Sequence, residues 1–233
     1  MQSPQSWNPQ ILGRSVGWTL IGTIVIGILS ALFVVQGIDI NLSANVAAVA
    51  EAMQDAELRL RAKAYVALLL FSMEIFILAG LFLLLRKAGE LLASWSLFVG
   101  LTGSILSLLG AVLALNGAEI SSDPAYTSLA SDTQLTLLGL QATTDYTSFH
   151  LGLVLSSISK AGFFALFLRS GLIPRIIAAW GLFASAFVAS TIVARDFIPL
   201  LGNGSITAAF MLSNLIALVS LGLYLGIRGV RAA

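Results

Sequence analysis

Two ionisable residues stand inside apolar runs long enough to cross a bilayer: Glu74, in a run that ends at Arg86, and Lys160, in a run that ends at Arg169. A charge at mid-bilayer costs about 2.5–3.5 kcal/mol on insertion scales, so each needs a reason to be there. Glu74 lies twelve residues before Arg86 and Lys160 nine before Arg169. At 1.5 Å of rise per residue the expected depths differ by about 4.5 Å, within reach of two long side chains. Ser104, Ser107, Ser156 and Asn214 fall in the same slab and form a supporting polar layer. The plainest chemistry is a buried Glu74–Lys160 ion pair that fixes how two helices pack, since such pairs serve specificity more than net stability. The functional alternative makes Glu74 a proton- or cation-binding carboxylate with Lys160 as its internal counter-ion. A lysine Schiff base with a carboxylate counter-ion is a third arrangement, and both the span count and the position of the lysine argue against it. Ser156 and Lys160 stand one turn apart on one face, which is too little to assign a catalytic dyad. The chain has no phosphate loop, no Gly-x-Ser-x-Gly and no HExxH. No catalytic residue is assigned.

The elements that must position these two charges follow from composition. Of 233 residues, 58% are hydrophobic and 10% charged, against about 25% charged residues in a soluble domain. Mean hydropathy is +0.97. Such a chain cannot build a soluble surface, which excludes soluble enzymes and disordered chains. With no cysteine and a single histidine, disulfides, thiolate chemistry and multi-histidine metal centres are excluded as well. A net charge of +1 without basic clustering leaves no footprint for nucleic acid.

Six segments reach the roughly 20 apolar residues that a membrane helix needs: 16–36, 65–85, 91–115, 150–168, 173–194 and 206–227. All five prolines fall outside helix interiors, and Pro174 suits the first turn of the fifth span. The first run exceeds the core of a signal peptide and reads as a retained helix. The expected fold is therefore an all-α, polytopic, six-span helical bundle forming a single domain over 1–233. Arg14, Arg86, Lys87, Arg169, Arg175, Arg228 and Arg231 crowd into 33 connecting positions, whereas Arg59, Arg61, Lys63 and Arg195 are spread over 73. By the positive-inside rule both termini lie inside. Nine of the eleven acids fall in the segments this assigns to the outside.

The connection 37–64 is patterned as an extracytoplasmic helical extension before span 2. Ser43 is placed to cap a helix beginning at Ala44, and Val46, Val49, Met53, Ala56 and Leu60 recur at three- and four-residue steps as one apolar stripe. Asp55–Arg59 and Glu57–Arg61 are acid-before-base pairs at four-residue spacing, and the helix is expected to run straight into span 2. The stripe either packs on the bundle or docks a partner. In 116–149 the chain turns at Asp123-Pro124, and Ser131 or Asp132 is placed to cap a short helix, with a re-entrant element as the alternative. Thr23-Gly27-Ala31, Gly103-Ser107-Ala111, Ser157-Ala161-Ala165 and Gly181-Ser185-Ala189 are small residues at four-residue spacing, expected to let helices of one chain approach closely. His150, with Asp145 just before it, reads as an interfacial hydrogen-bonding group.

Residues 145–183 carry a turn, Arg169-Ser170-Gly171-x-x-Pro174-Arg175, that resembles the recurring element of a bacterial membrane family called domain of unknown function 4386. The second span is similar as well: an arginine well before a mid-membrane acid and a second arginine closing the helix, here Arg61, Glu74 and Arg86. The likeness covers nearly the whole chain. Glu74 stands where the family pattern has Asp, His150 where it often has Asp, and Lys160 where it is apolar or small. The resemblance implies a six-span fold in a bacterial inner membrane and brings no activity with it.

Two functional readings follow, with an intramembrane enzyme as the least favoured third. The first is a non-enzymatic membrane module, an accessory subunit or self-associating protein, favoured by the scarcity of site chemistry. The second is a small proton- or cation-coupled transporter or channel using Glu74 and Lys160; against it stand the lack of Gly- or Pro-broken half-helices and of an internal repeat. The expected partners are the lipid bilayer and a second copy or larger membrane complex, not nucleic acid. No cofactor and no metal are expected.

Overall fold

A computed structural model describes residues 8–42 and 44–231. Its helices are α1 (Pro9–Phe33), α2 (Val46–Met53), α3 (Glu57–Leu85), α4 (Glu90–Ser122), α5 (Pro124–Thr127), α6 (Ser131–Ser170), α7 (Arg175–Arg195) and α8 (Gly204–Arg228), with 3-10 turns at Arg86–Ala88 and Pro199–Gly202. Among the described residues there is no strand, and six helices (α1, α3 with its 3-10 extension, α4, α6, α7 and α8) are long and apolar enough to cross a membrane. Helix is what hydrocarbon demands, because every backbone N–H must find a partner within its own segment. The fold is all-helical and multi-pass.

Several ends differ from the sequence expectation for local reasons. Ser43, the expected cap, lies outside the described residues; the Asn45 side chain caps α2, accepting from the Ala48 amide at 3.3 Å. The extension does not run straight into the second span, because the chain turns through Gln54–Ala56 before α3 begins. That turn takes Asp55 off the helix and undoes the Asp55–Arg59 spacing. Arg59 instead donates to the Gln36 carbonyl at 2.7 Å, whereas Glu57 and Arg61, both helical, pair at 3.0 Å as expected. Residues 131–149 form no separate short or re-entrant helix: α6 is a single helix of 40 residues. In its polar stretch Thr136, Thr144 and Thr147 donate their hydroxyls to carbonyls four residues earlier, at 2.7, 2.8 and 3.0 Å, so these groups find partners within the helix. Ser131 and Asp132 lie within its first turn, and Asp132 there complements the helix dipole.

The chain divides into two compact units. The first comprises the described residues of Met1–Ile24, Met73–Leu101 and Leu155–Ala233. Its core joins Leu12, Val16 and Leu20 of α1, Leu78, Leu81 and Leu85 of α3, Phe163, Phe164 and Phe167 of α6, and Leu221 and Leu225 of α8. Gly17 lies so close to α8 that a Cβ there would overlap the Gly226 amide. In α4 and α6, Ser159 donates to the Ser96 carbonyl at 2.6 Å. The C-terminal residues tie this unit together: the Gln10 side chain donates to the Val230 carbonyl at 2.7 Å, and the Arg231 amide to the Leu172 carbonyl at 2.9 Å.

The turn that carries the family likeness has a physical account. Gly171 sits at φ 67°, the left-handed region that ends a helix, and its amide caps the Phe167 carbonyl. Ser170 Oγ accepts from the Leu172 amide at 3.4 Å. Pro174 stands just before α7, at its N-cap rather than in its first turn, and its carbonyl accepts from Ile177 and Ala178. Between them Ile173 is fully buried. Arg169 and Arg175 flank the turn, both exposed.

The second unit comprises Val25–Ser72 and Thr102–Val154. The apolar stripe is buried in its core: Val49, Met53, Ala56 and Leu60 pack with Ala111, Ala114 and Ala118 of α4 and with Leu138 and Ala142 of α6. Gly103 and Ser107 of α4 meet α6 at Gly152, as the small-residue pattern predicts. At Gly27, within the Thr23-Gly27-Ala31 stripe, no such contact is made, for nothing lies within 4 Å of where a Cβ would stand. On α1 the close contact is made at Gly17 instead.

A candidate binding cavity

Helix periodicity brings two faces of like spacing together in the first unit. On α3 the residues are Glu74, Ile77, Leu78 and Leu81; on α6 they are Lys160, Phe163, Phe164 and Phe167. Each set reads i, i+3, i+4, i+7, one face of a helix headed by a charge and followed by bulky apolar side chains. Leu20 of α1 and Leu218 and Leu221 of α8 complete the wall. The space is partly open and small, with a cavity volume of about 20 Å³, room for about one water. Glu74 and Lys160 are each half-buried.

The two helices run in the same direction. The Gly100 position of α4 touches both Leu78 of α3 and Ser159 of α6, and Gly89, beyond the end of α3, lies against Leu166 and Arg169 of α6. Level with each other are therefore residues 78 and 159, which sets Glu74 and Lys160 five residues apart along the axis, about 7.5 Å. Counting back from Arg86 and Arg169 predicts three residues, because it takes the two arginines as level, whereas Gly89 is the residue beside Arg169. A second difference concerns pairing. Among the described residues the ion pairs are Arg61–Glu57, Arg61–Glu119 and Lys63–Asp145; Glu74 and Lys160 share a cavity without closing a direct pair. The supporting polar layer is not part of this lining. Ser156 and Asn214 belong to the same unit but stand outside the cavity wall, and Ser104 and Ser107 belong to the second unit. Ser107 donates to the Gly103 carbonyl within its own helix at 3.1 Å.

The direct buried ion pair is one that spacing does not reveal. In the second unit Lys63 Nζ lies 2.7 Å from Asp145 Oδ2, with side chains 15% and 10% exposed. Asp145 occupies room that Gly110 leaves on α4, where a Cβ would collide with the carboxylate. His150, also buried, stands 6.1 Å from the Tyr146 ring. Nearby, Arg61 bridges Glu57 and Glu119 at 3.0 and 2.9 Å. Eighty-two residues separate Lys63 from Asp145; the only hint in the sequence is that both fall within a turn or two of a membrane run. Among the described residues no three His, Asp or Glu side chains gather as a metal set.

A family model described as a domain of unknown function (DUF4386) matches residues 15–229. No curated protein and no solved structure matches the chain.

Proposed function

The chain belongs to the family described as a domain of unknown function, DUF4386, a description that names no activity, and we propose from the cavity itself that it is a small solute-binding membrane protein, a proton- or cation-coupled transporter centred on Glu74. What supports this reading is one observation: a carboxylate and an ammonium line a single apolar cavity and leave each other unpaired. A structural ion pair would close on itself and fill the space with packed side chains. Here no such pair closes, and the energetic cost of two charges in a low-dielectric setting is met without the direct contact that would offset it.

In this reading Glu74 takes up and releases a proton or small cation, and Lys160 acts as the fixed counter-charge that makes the ionised carboxylate tolerable in oil. Ile77, Leu78 and the three phenylalanines exclude bulk water, which strengthens the interaction of either charge with a bound solute. The membrane is the cytoplasmic membrane of a bacterium, with both termini inside. The test is flux into proteoliposomes carrying a trapped pH-sensitive dye. Glu74→Gln is expected to reduce a pH-dependent flux at least tenfold while the helical content and unfolding midpoint stay near those of the native chain. A flux indifferent to Glu74→Gln, or none in the native chain under either polarity of pH gradient, would remove the proposal.

A further inference from the structure

We propose that the Arg-Ser-Gly-x-x-Pro-Arg turn and the segment that follows α8 together form a site for the headgroup of an anionic phospholipid. The site lies apart from the Glu74 cavity and does not rest on how that cavity is read. A chain of close contacts gathers its parts at one end of the first unit. The Arg231 amide donates to the Leu172 carbonyl at 2.9 Å, which sets Arg231 against the turn that Arg169 and Arg175 flank. The residue before it, Val230, accepts from the Gln10 side chain at 2.7 Å and lies against Gly13, the neighbour of Arg14. Arg228 closes α8 three residues before Arg231. Five arginines scattered through the sequence from Arg14 to Arg231 thus share one rim of the fold.

All five are exposed, and among the described residues none takes part in an ion pair. The unit has few acids to offer them: Glu74 lies within α3, Asp196 follows the far end of α7, and Glu90 opens α4 beside Lys87. The missing counter-charge is therefore an external anion. A guanidinium fork meets phosphate with two parallel hydrogen bonds, which favours that group over a point anion. The surroundings say which phosphate. Ile11, Ile176 and Ile227 stand within three residues of Arg14, Arg175 and Arg228 and are 64%, 79% and 58% exposed. A soluble phosphate would leave this apolar surface in water, whereas a phospholipid covers it with acyl chain while its headgroup meets the arginines. The arginines also sit at the ends of helices long and apolar enough to cross a membrane, the depth at which lipid phosphates lie. The turn is held in shape by Gly171 and buried Ile173, and the segment after α8 by Gln10 and Leu172. The site is thus built before the lipid arrives.

The experiment titrates radiolabelled phosphatidylglycerol onto the full chain in a neutral detergent. Competitors are phosphatidylcholine with the same acyl chains, glycerol phosphate, and an acidic peptide of poly-glutamate. Saturable binding is expected, with each competitor weaker by about tenfold or more and with affinity falling as salt is raised. Arg169→Gln with Arg231→Gln should weaken binding by about tenfold or more, at about fivefold for each surface arginine. Arg86→Gln with Lys87→Gln removes the same charge from bases outside the proposed site and should weaken it by less than about threefold. Equal losses from the two pairs would reduce the site to diffuse attraction and overturn the proposal. So would phosphatidylcholine competing as an equal, or no saturable binding at all. Displacement by glycerol phosphate at matched concentration assigns the rim to a soluble phosphate, and displacement by poly-glutamate to an acidic protein; either result removes the lipid. The comparison of competitors on the native chain decides even if a variant misfolds.

Discussion

Lys63 and Asp145 meet at 2.7 Å with little access to solvent, so removing one partner strands the other. For buried pairs that costs about 3–5 kcal/mol, while replacing both is close to neutral. Lys63→Met is therefore expected to lower the unfolding midpoint in detergent markedly, and Lys63→Met with Asp145→Asn to recover most of the loss. Equal losses in the single and double variants would show that the two groups are not coupled. By spacing alone Lys63 is one more base in a connection, and Asp145 merely precedes His150. Local spacing reports only partners on the same helix, as it does for Glu57 and Arg61, and even there a turn defeats it, as at Asp55. Glu74 and Lys160 were legible as residues out of place in oil. Their relation was not, because the vertical register of α3 against α6 is set by which small residues touch, at Gly100 and Gly89, and not by distance to the nearest arginine.

Among the helices, α1 and α8 approach most closely at Gly17, where any Cβ would overlap the Gly226 amide. Gly17→Val is expected to destabilise by about 1–3 kcal/mol, the cost of overpacking a filled site, whereas Gly27→Val, with open space around it, should leave the unfolding midpoint unchanged. Equal effects would mean that Gly27 also faces a partner. At the turn before α7, Gly171 holds a left-handed φ of 67°, and Gly171→Ala should cost about 1–2 kcal/mol, read as a lower midpoint with unaltered helical content. The six long helices were plain from apolar run length alone. Their ends were not, because they depend on polar groups that serve helix or loop equally well. The threonines of α6 bond back to their own helix in a stretch that reads as a connection, while Asn45 caps the short helix before α3.

For the chain as a whole, the unequal density of arginine and lysine predicts which connections face the cytoplasm. With no native cysteine, single replacements report this cleanly. Lys87→Cys should resist a membrane-impermeant maleimide added to intact cells and react in inverted vesicles, and Ser128→Cys should do the reverse. The opposite pattern would invert the topology. Composition was sufficient to establish a multi-pass helical protein because no other class tolerates so few charges. It carried no information on the division into two compact units, each with its own core, since that depends on tertiary contact.

The Gly17–Gly226 contact joins α1 to α8, the first and sixth of the long apolar helices described. A ribosome adding about 5–20 residues per second needs roughly ten to forty seconds to travel from one glycine to the other. Throughout that interval α1 exposes a notch whose mate has not yet been made. Closure of the first unit thus waits until α8 has been made, and a chain cut short before α8 would leave that notch open to lipid or to any other small-faced helix nearby.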